Sequence, residues 1–156
     1  MAISVTYNEL FVDIPSEFQV MSEEEKVKRN VNTADKESVF YFYEDEHTII
    51  RFHSKKINKL IVFVADRKAM RKRNEIDMKK ANSNVEITKD YEANISGIKC
   101  LGFQMEYIAG ERKNIGQYLM VIHNGVYYAI TLNYRYDNKE YGDMTWNKIL
   151  DELEIK

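Results

Sequence analysis

The chain has 156 residues, of which 44% are hydrophobic and 31% charged, and this composition is typical of a folded protein with a sizeable core. One Cys excludes an internal disulfide framework, and one Pro with six Gly excludes a low-complexity linker. The formal net charge of −2 argues against a dedicated nucleic-acid-binding protein. The sequence contains no run of 18 apolar residues, so it predicts no transmembrane helix.

The amino terminus carries no recognisable targeting signal. Residues 1–6 have neither a basic region nor an apolar stretch, so we expect a cytoplasmic protein or one whose secretory or lipoprotein leader was removed. The lone Cys100 fits a reducing compartment. Because no linker-like stretch or internal repeat interrupts the sequence, we predict a single domain over residues 1–156.

The first part of the chain predicts short strands and one short helix. Residues 11–15 form a strand that Pro15 ends or places at an edge, because proline cannot donate a ladder hydrogen bond. Ser22 caps a helix to about residue 30, with Glu25 at the capping-box position. Further strands are predicted at residues 39–43, 48–52 and 60–64. All six glycines follow residue 96, so earlier turns must use Asn, Asp or Ser.

A basic helix is predicted from Asp66, its cap, to Ala81. Its apolar stripe is thin, so we expect it to lie on the surface. Seven bases and three acids give residues 66–80 a net charge of +4. The bases are Arg67, Lys68, Arg71, Lys72, Arg73, Lys79 and Lys80, and they form the candidate partner-binding patch.

Two interpretations of this patch remain open. It is a site for an acidic partner, an anionic lipid or a nucleic acid, or it is a solvated face that balances the acidic residues 1–46. Those 46 residues hold eleven acids and four bases. We favour the solvated face. Bases near a helix start oppose the helix dipole, however, and this local conflict slightly strengthens the functional interpretation.

The second half predicts an antiparallel meander. Residues 85–87 and 91–95 are short strands. Alternating apolar residues then predict a strand over 101–107, a turn over 110–114, and strands over 118–123 and 126–135. Asn124-Gly125 joins the last two as a hairpin turn with positive φ at both positions.

The chain ends in a predicted amphipathic helix, capped by Asp143 or Thr145. One helical face, which should pack on the sheet, carries apolar residues at positions i, i+3, i+4 and i+7: Trp146, Ile149, Leu150 and Leu153. Helices set apart from an antiparallel run of strands predict the α+β class.

The order of three motifs resembles that of the PsbP-like family, which includes PsbP, Mog and bacterial DcrB-type proteins. The motifs are Ile14-Pro15 at the end of an early strand, Ile95-Ser96-Gly97 before the meander, and the closing Trp146 helix. The resemblance implies an α/β/α sandwich with a central, mostly antiparallel sheet flanked by helices. It also implies a non-enzymatic domain that binds another protein. These motifs serve packing and turns, so no functional residue is carried over.

No catalytic or metal-binding motif is recognisable. Residues 1–96 contain no glycine, which excludes a phosphate-binding glycine loop there, and Gly97 and Gly102 lack the Lys-Ser/Thr of a P-loop. Cys100 stands in none of the local sequence contexts of catalytic cysteines. We therefore predict no cofactor, no metal and no catalysis, but a protein partner of unknown identity and an undetermined oligomeric state. The alternative is a small-ligand or lipid-binding protein whose pocket Met70 and Met78 line; an enzyme is the third hypothesis.

Overall fold

The computed structural model describes residues 2–29, 31, 37–57 and 67–156, and of Arg67, Lys68 and Met70 it describes only the backbone. The strand predicted at 60–64 and the predicted cap Asp66 lie outside the described residues. The α-helices are α1 (Glu23–Lys28), α2 (Arg67–Ala81) and α3 (Lys139–Glu152), with a short 3-10 turn at Tyr136–Asn138. The strands are β1 (Ala2–Tyr7), β2 (Leu10–Pro15), β3 (Gln19–Val20), β4 (Val39–Tyr43), β5 (Thr48–Lys56), β6 (Glu86–Ile95), β7 (Ile98–Ala109), β8 (Arg112–His123), β9 (Val126–Arg135) and β10 (Glu154–Ile155).

The described strands form two antiparallel sheets. The larger sheet has seven strands in the order β3-β4-β5-β9-β8-β7-β6, and the smaller has three in the order β1-β2-β10. The α+β class and the meander of β7, β8 and β9 are confirmed. The small sheet was not predicted. Strand β1 was missed although Ile3, Val5 and Tyr7 alternate with other residues, and β10 has only two residues, too few for any periodic pattern.

The seven-stranded sheet separates two apolar clusters. On its first face, strand residues such as Leu119 and Ile130 pack with Trp146 and Ile149 of α3, together with the three-stranded sheet. The predicted packing face of this helix is therefore confirmed. On its second face, a smaller cluster around Phe103 contacts α2. In the described part of the chain, no helix has the length and apolar character needed to cross a membrane.

The turns show where sequence and structure agree. Asn124 and Gly125 have φ of 48° and 75°, which confirms the predicted hairpin between β8 and β9. The turn predicted at 110–114 is too long. Gly110 and Glu111 have φ of 57° and 66°, so these two residues alone reverse the chain and β8 begins at Arg112. Before the first glycine, Asn8 at φ 52° supports the expectation that short polar residues take the turn positions.

The helix ends were predicted unevenly. Ser22 caps α1 as expected, and its hydroxyl accepts a hydrogen bond from the Glu25 backbone N–H at 3.2 Å. The predicted cap of the last helix is wrong. Helix α3 begins at Lys139, so Asp143 and Thr145 lie inside it, and Thr145 is buried. The Asp143 side chain instead accepts hydrogen bonds from Tyr134 and Lys139.

Candidate functional site

Helix α2 carries the candidate patch, but Arg71 points toward the sheet. Its Nη2 lies 2.7 Å from Oδ2 of Asp90 on β6, and its guanidinium carbon lies 5.5 Å from the centroid of the Phe103 ring. Its side chain is only 14% exposed. Arg71 therefore anchors α2 on the second face and does not belong to the exposed part of the patch.

Glu75 is a second counter-ion of Arg71. It was assigned no role from the sequence. The residue is only 7% exposed, and its carboxylate accepts hydrogen bonds from Lys79 at 3.2 Å and Lys72 at 3.3 Å. Burial raises the pKa of Glu75, but the hydrogen bonds from the two lysines outweigh burial and hold the pKa below its usual value. Nη2 of Arg71 lies 3.5 Å from the same carboxylate, so three bases neutralise one acid.

Four bases of α2, two of which also contact Glu75, are exposed to solvent around an exposed apolar residue. Arg73, whose side chain is 76% exposed, forms an ion pair with Asp77 one turn away at 3.5 Å. Ile76 is 42% exposed, although it is a large apolar side chain. Lys72, Lys79 and Lys80 are exposed on the same outer side of the helix. We call Lys72, Arg73, Ile76, Lys79 and Lys80 the basic face of α2. Arg67 and Lys68 lie in its first turn, where only the backbone is described.

The described ion pairs of α2 are local to the helix and to β6. Within the ranges the structure describes, the ion pairs of α2 run to Glu75, Asp77 and Asp90. None of them reaches an acidic residue of the first 46. Both interpretations of the patch therefore stay open.

A second candidate site lies on the opposite face, between α3 and strands β6, β7 and β8. We call it the α3 cleft, and its volume is about 340 Å³. This size lies at the lower end of the range for small-molecule sites. Its lining residues are Lys89, Tyr91, Gln104, Gln117, Lys139, Asp143, Trp146, Asn147 and Leu150.

Two glycines make room for the tyrosine rings that border this cleft. A Cβ at Gly102 would lie 2.4 Å from Cζ of Tyr91, and a Cβ at Gly142 would lie 2.2 Å from Cδ2 of Tyr134. The Tyr91 ring therefore crosses β7 at Gly102, and α3 rests on the Tyr134 ring at Gly142. Neither glycine has a turn role; each permits a close approach.

A chain of hydrogen bonds runs along the cleft floor. The Tyr134 hydroxyl donates to Oδ1 of Asp143 at 2.5 Å and accepts from Nε2 of Gln117 at 3.0 Å. The same Nε2 donates to Oε1 of Gln104 at 3.0 Å. Lys139 binds the other oxygen of Asp143 at 2.5 Å, and this hydrogen bond raises the pKa of the lysine. The floor is thus preorganised by fixed side chains.

Sequence reasoning missed this cleft. Trp146 was assigned to core packing, which is correct, but its indole Nε1 also donates to the Tyr91 hydroxyl at 2.8 Å. Met78, which was expected to line a pocket, packs against the apolar cluster of the second face, and the side chain of Met70 lies outside the described residues. The available signal was the pair of glycines, Gly102 and Gly142, inside elements that otherwise disfavour glycine.

The comparisons with known proteins agree on the fold. No protein-family profile and no curated protein matches the sequence. Among solved structures, cyanobacterial PsbP (CyanoP) from Synechocystis aligns with TM-score 0.71 at 11% identity, over 100% of this chain and 92% of that one. LpqN of Mycobacterium tuberculosis, described as involved in cell envelope biogenesis, aligns with TM-score 0.64 at 10% identity, over 100% and 91%.

The Ran-binding protein Mog1p of Saccharomyces cerevisiae aligns with TM-score 0.64 at 7% identity, over 99% of this chain and 95% of that one. These identities are low, but the alignments cover nearly the whole of each chain. The motifs around Ile14, Gly97 and Trp146 predicted the same relationship. The chain therefore has the PsbP-like fold, shared with CyanoP, LpqN and Mog1p.

Proposed function

We propose that this chain is a non-enzymatic accessory domain that binds an acidic surface of another protein through the basic face of α2. The observation that carries the proposal is the exposed Ile76 among Lys72, Arg73, Lys79 and Lys80. Protein interfaces combine an apolar centre with a polar rim and are enriched in arginine. Complementary charge steers the encounter with a partner and suppresses binding to wrong ones.

The anchoring of α2 supports this role. Arg71 and Glu75 fix the helix on the sheet, and Asn74 donates a hydrogen bond to the Tyr127 hydroxyl at 2.9 Å. The outer face is therefore preorganised, which lowers the entropic cost of binding. In this proposal α2 and α3 are the two outer layers of an α/β/α sandwich that spans residues 1–156 as one domain.

The fold comparison supports a protein partner in general terms. Mog1p, which aligns over nearly all of this chain, is described as a Ran-binding protein. The likeness is one of fold alone, and a fold does not determine a partner. The identity of the partner therefore has to come from the surface chemistry, which favours an acidic protein surface.

Site-specific photo-crosslinking tests the proposal. A photoreactive amino acid replaces Ile76 in one variant and Met144, an even more exposed apolar residue on α3, in the matched control. After irradiation in the source organism, we expect a discrete protein adduct from position 76 and not from position 144. Reversing the charges in Arg73→Glu with Lys80→Glu should lower the adduct yield by roughly tenfold or more.

Three outcomes would contradict the proposal. They are no adduct at position 76, identical adducts at both positions, and an adduct that nuclease treatment removes. The charge reversals lie on exposed side chains, so circular dichroism should show unchanged folding. A yield that the charge reversal leaves unaltered would show that charge complementarity plays no part.

A further inference from the structure

We infer that the α3 cleft is a binding site for a small carboxylic acid that also carries an N–H or O–H donor. The inference rests on three groups that line the cleft, each with a donor or acceptor that no described residue engages: the Tyr91 hydroxyl hydrogen, the Lys89 ammonium and the Gln117 side-chain carbonyl. The site is independent of the basic face of α2, because the two lie on opposite faces of the sheet.

Tyr91 and Lys89 supply two donors for a carboxylate. The Tyr91 oxygen accepts from Trp146, while its own O–H has no acceptor among the described residues. Accepting a hydrogen bond strengthens a hydroxyl as a donor. Burial raises the pKa of Tyr91 to about 12, so the group stays protonated and able to donate at neutral pH.

Lys89 lies on the same strand as Tyr91, β6, and faces the same cleft. Its Nζ lies 5.7 Å from the centroid of the Tyr91 ring. In the described ranges no carboxylate lies within 4 Å of this Nζ, whereas Lys139 is already engaged by Asp143. Lys89 is therefore the cation of the cleft that can form an ion pair with a bound anion.

The opposite end of the cleft offers an acceptor. Because the Tyr134 O–H donates to Asp143, its oxygen can only accept from Gln117, which fixes the amide orientation of Gln117. Both hydrogens of the Gln117 amide are then used, toward Tyr134 and Gln104. Its Oε1 has no donor within the part of the chain that the structure describes, and a ligand N–H or O–H would satisfy it.

Strand register sets the span of the ligand. Lys89 pairs with Gln104, and Gln104 pairs with Gln117, so the three residues form one row across neighbouring strands. The outer two Cα atoms are therefore about 10 Å apart. A volume of about 340 Å³ and the walls of Trp146 and Leu150 suit a compact molecule with a flat apolar middle.

The single tryptophan of the chain gives a direct readout. The indole N–H resonance of Trp146 is followed by NMR during titration with 4-hydroxyphenylacetate, which has a carboxylate at one end and an O–H donor at the other. The matched probes are phenylacetate, which lacks the donor, and 4-hydroxyphenylacetamide, which lacks the charge. We expect a saturable shift with the first probe and at least about tenfold weaker binding of the other two.

Two variants locate the contact. Lys89→Ala should abolish the preference for the acid over the amide, because it removes the cation that distinguishes them. Lys148→Ala is the matched control, since it removes the same charge from an exposed position on α3. The inference is overturned by the absence of a saturable indole shift, by equal binding of acid and amide, or by equal effects of the two substitutions.

Discussion

The substitution Gly142→Ala tests how α3 is seated on the sheet. Alanine is the best helix former, and replacing a mid-helix glycine by alanine should by itself stabilise the protein by about 1 kcal/mol. In this fold, however, the new Cβ would lie 2.2 Å from Cδ2 of Tyr134 and 2.4 Å from its Cγ. These atoms are at the root of the ring, so a simple side-chain rotation does not relieve the clash.

The surroundings determine the size of the penalty. Tyr134 is 1% exposed, and its hydroxyl is held by Gln117 and Asp143. Either α3 shifts outward or the ring moves and breaks a buried hydrogen bond. Overpacking costs about 1–3 kcal/mol and a lost buried hydrogen bond about 1–3 kcal/mol. After the propensity gain, we expect a net destabilisation of about 2 kcal/mol, which lowers Tm by roughly 4–8 °C.

Urea unfolding monitored by Trp146 fluorescence measures this change, because the tryptophan lies one turn after Gly142. Met144→Ala, at an exposed position of the same helix, is the control and should change stability little. A double-mutant cycle isolates the contact: in a Tyr134→Leu background, Gly142→Ala should become neutral or stabilising. The reasoning is refuted if Gly142→Ala stabilises the otherwise unaltered chain, or if its penalty persists without the Tyr134 ring.

Three further changes probe other contacts. Gly102→Ala places a Cβ 2.4 Å from the Tyr91 ring, so we expect about 1–3 kcal/mol of destabilisation and a displaced Trp146 indole NMR signal; an unmoved signal would show the ring is not confined. Burial raises the pKa of Tyr91 and Tyr107 from 10.0 to about 12. Their contribution to stability is complete below pH 10 and falls as pH rises from 10 to 12, so these two residues should ionise together with unfolding rather than before it, which their individual NMR signals report. Glu75→Gln removes the carboxylate that Arg71, Lys72 and Lys79 share and should lower the free energy of unfolding by roughly 1 kcal/mol in chemical denaturation; an unchanged midpoint would argue against the anchoring role.

Much of the fold was predictable from local pattern. The period-two alternation of β9, the Asn124-Gly125 turn and the apolar stripe of α3 are each complete within a few residues, so sequence alone specifies them. Strand β10 of the small sheet was not predictable, because it becomes a strand only by pairing with Leu10 and Phe11, more than 140 positions earlier. Such long-range pairing leaves no periodic signal in two residues.

The candidate sites divide in the same way. The charge of α2 was visible as composition, but which bases face outward depends on how the helix is seated. The sequence placed Arg71 in the patch, whereas Asp90 and the Phe103 ring draw it inward. The α3 cleft was not predictable, because it depends on Gly102 and Gly142 meeting tyrosines from other elements.

One irregularity in β6 explains both the missed strand and the composition of the cleft. Ile87 pairs with Met105 on the second face, and Lys89 pairs with Gln104 on the first, with a bulge between them. In a regular strand, residues 87 and 89 would share a face. The bulge at Thr88 therefore sends Ile87 into the apolar cluster beneath α2 and turns Lys89 and Tyr91 toward the cleft.

Alternation after the bulge then gives one strand contacts with both candidate sites. Asp90 points to the second face, where it binds Arg71 of α2, while its neighbours Lys89 and Tyr91 line the cleft. The same bulge interrupts the period-two pattern, which is why the sequence indicated two fragments, 85–87 and 91–95, in place of one strand. Since bulges re-aim side chains, the break in the sequence pattern marks the position where β6 departs from regular pairing and turns Lys89 and Tyr91 toward the cleft.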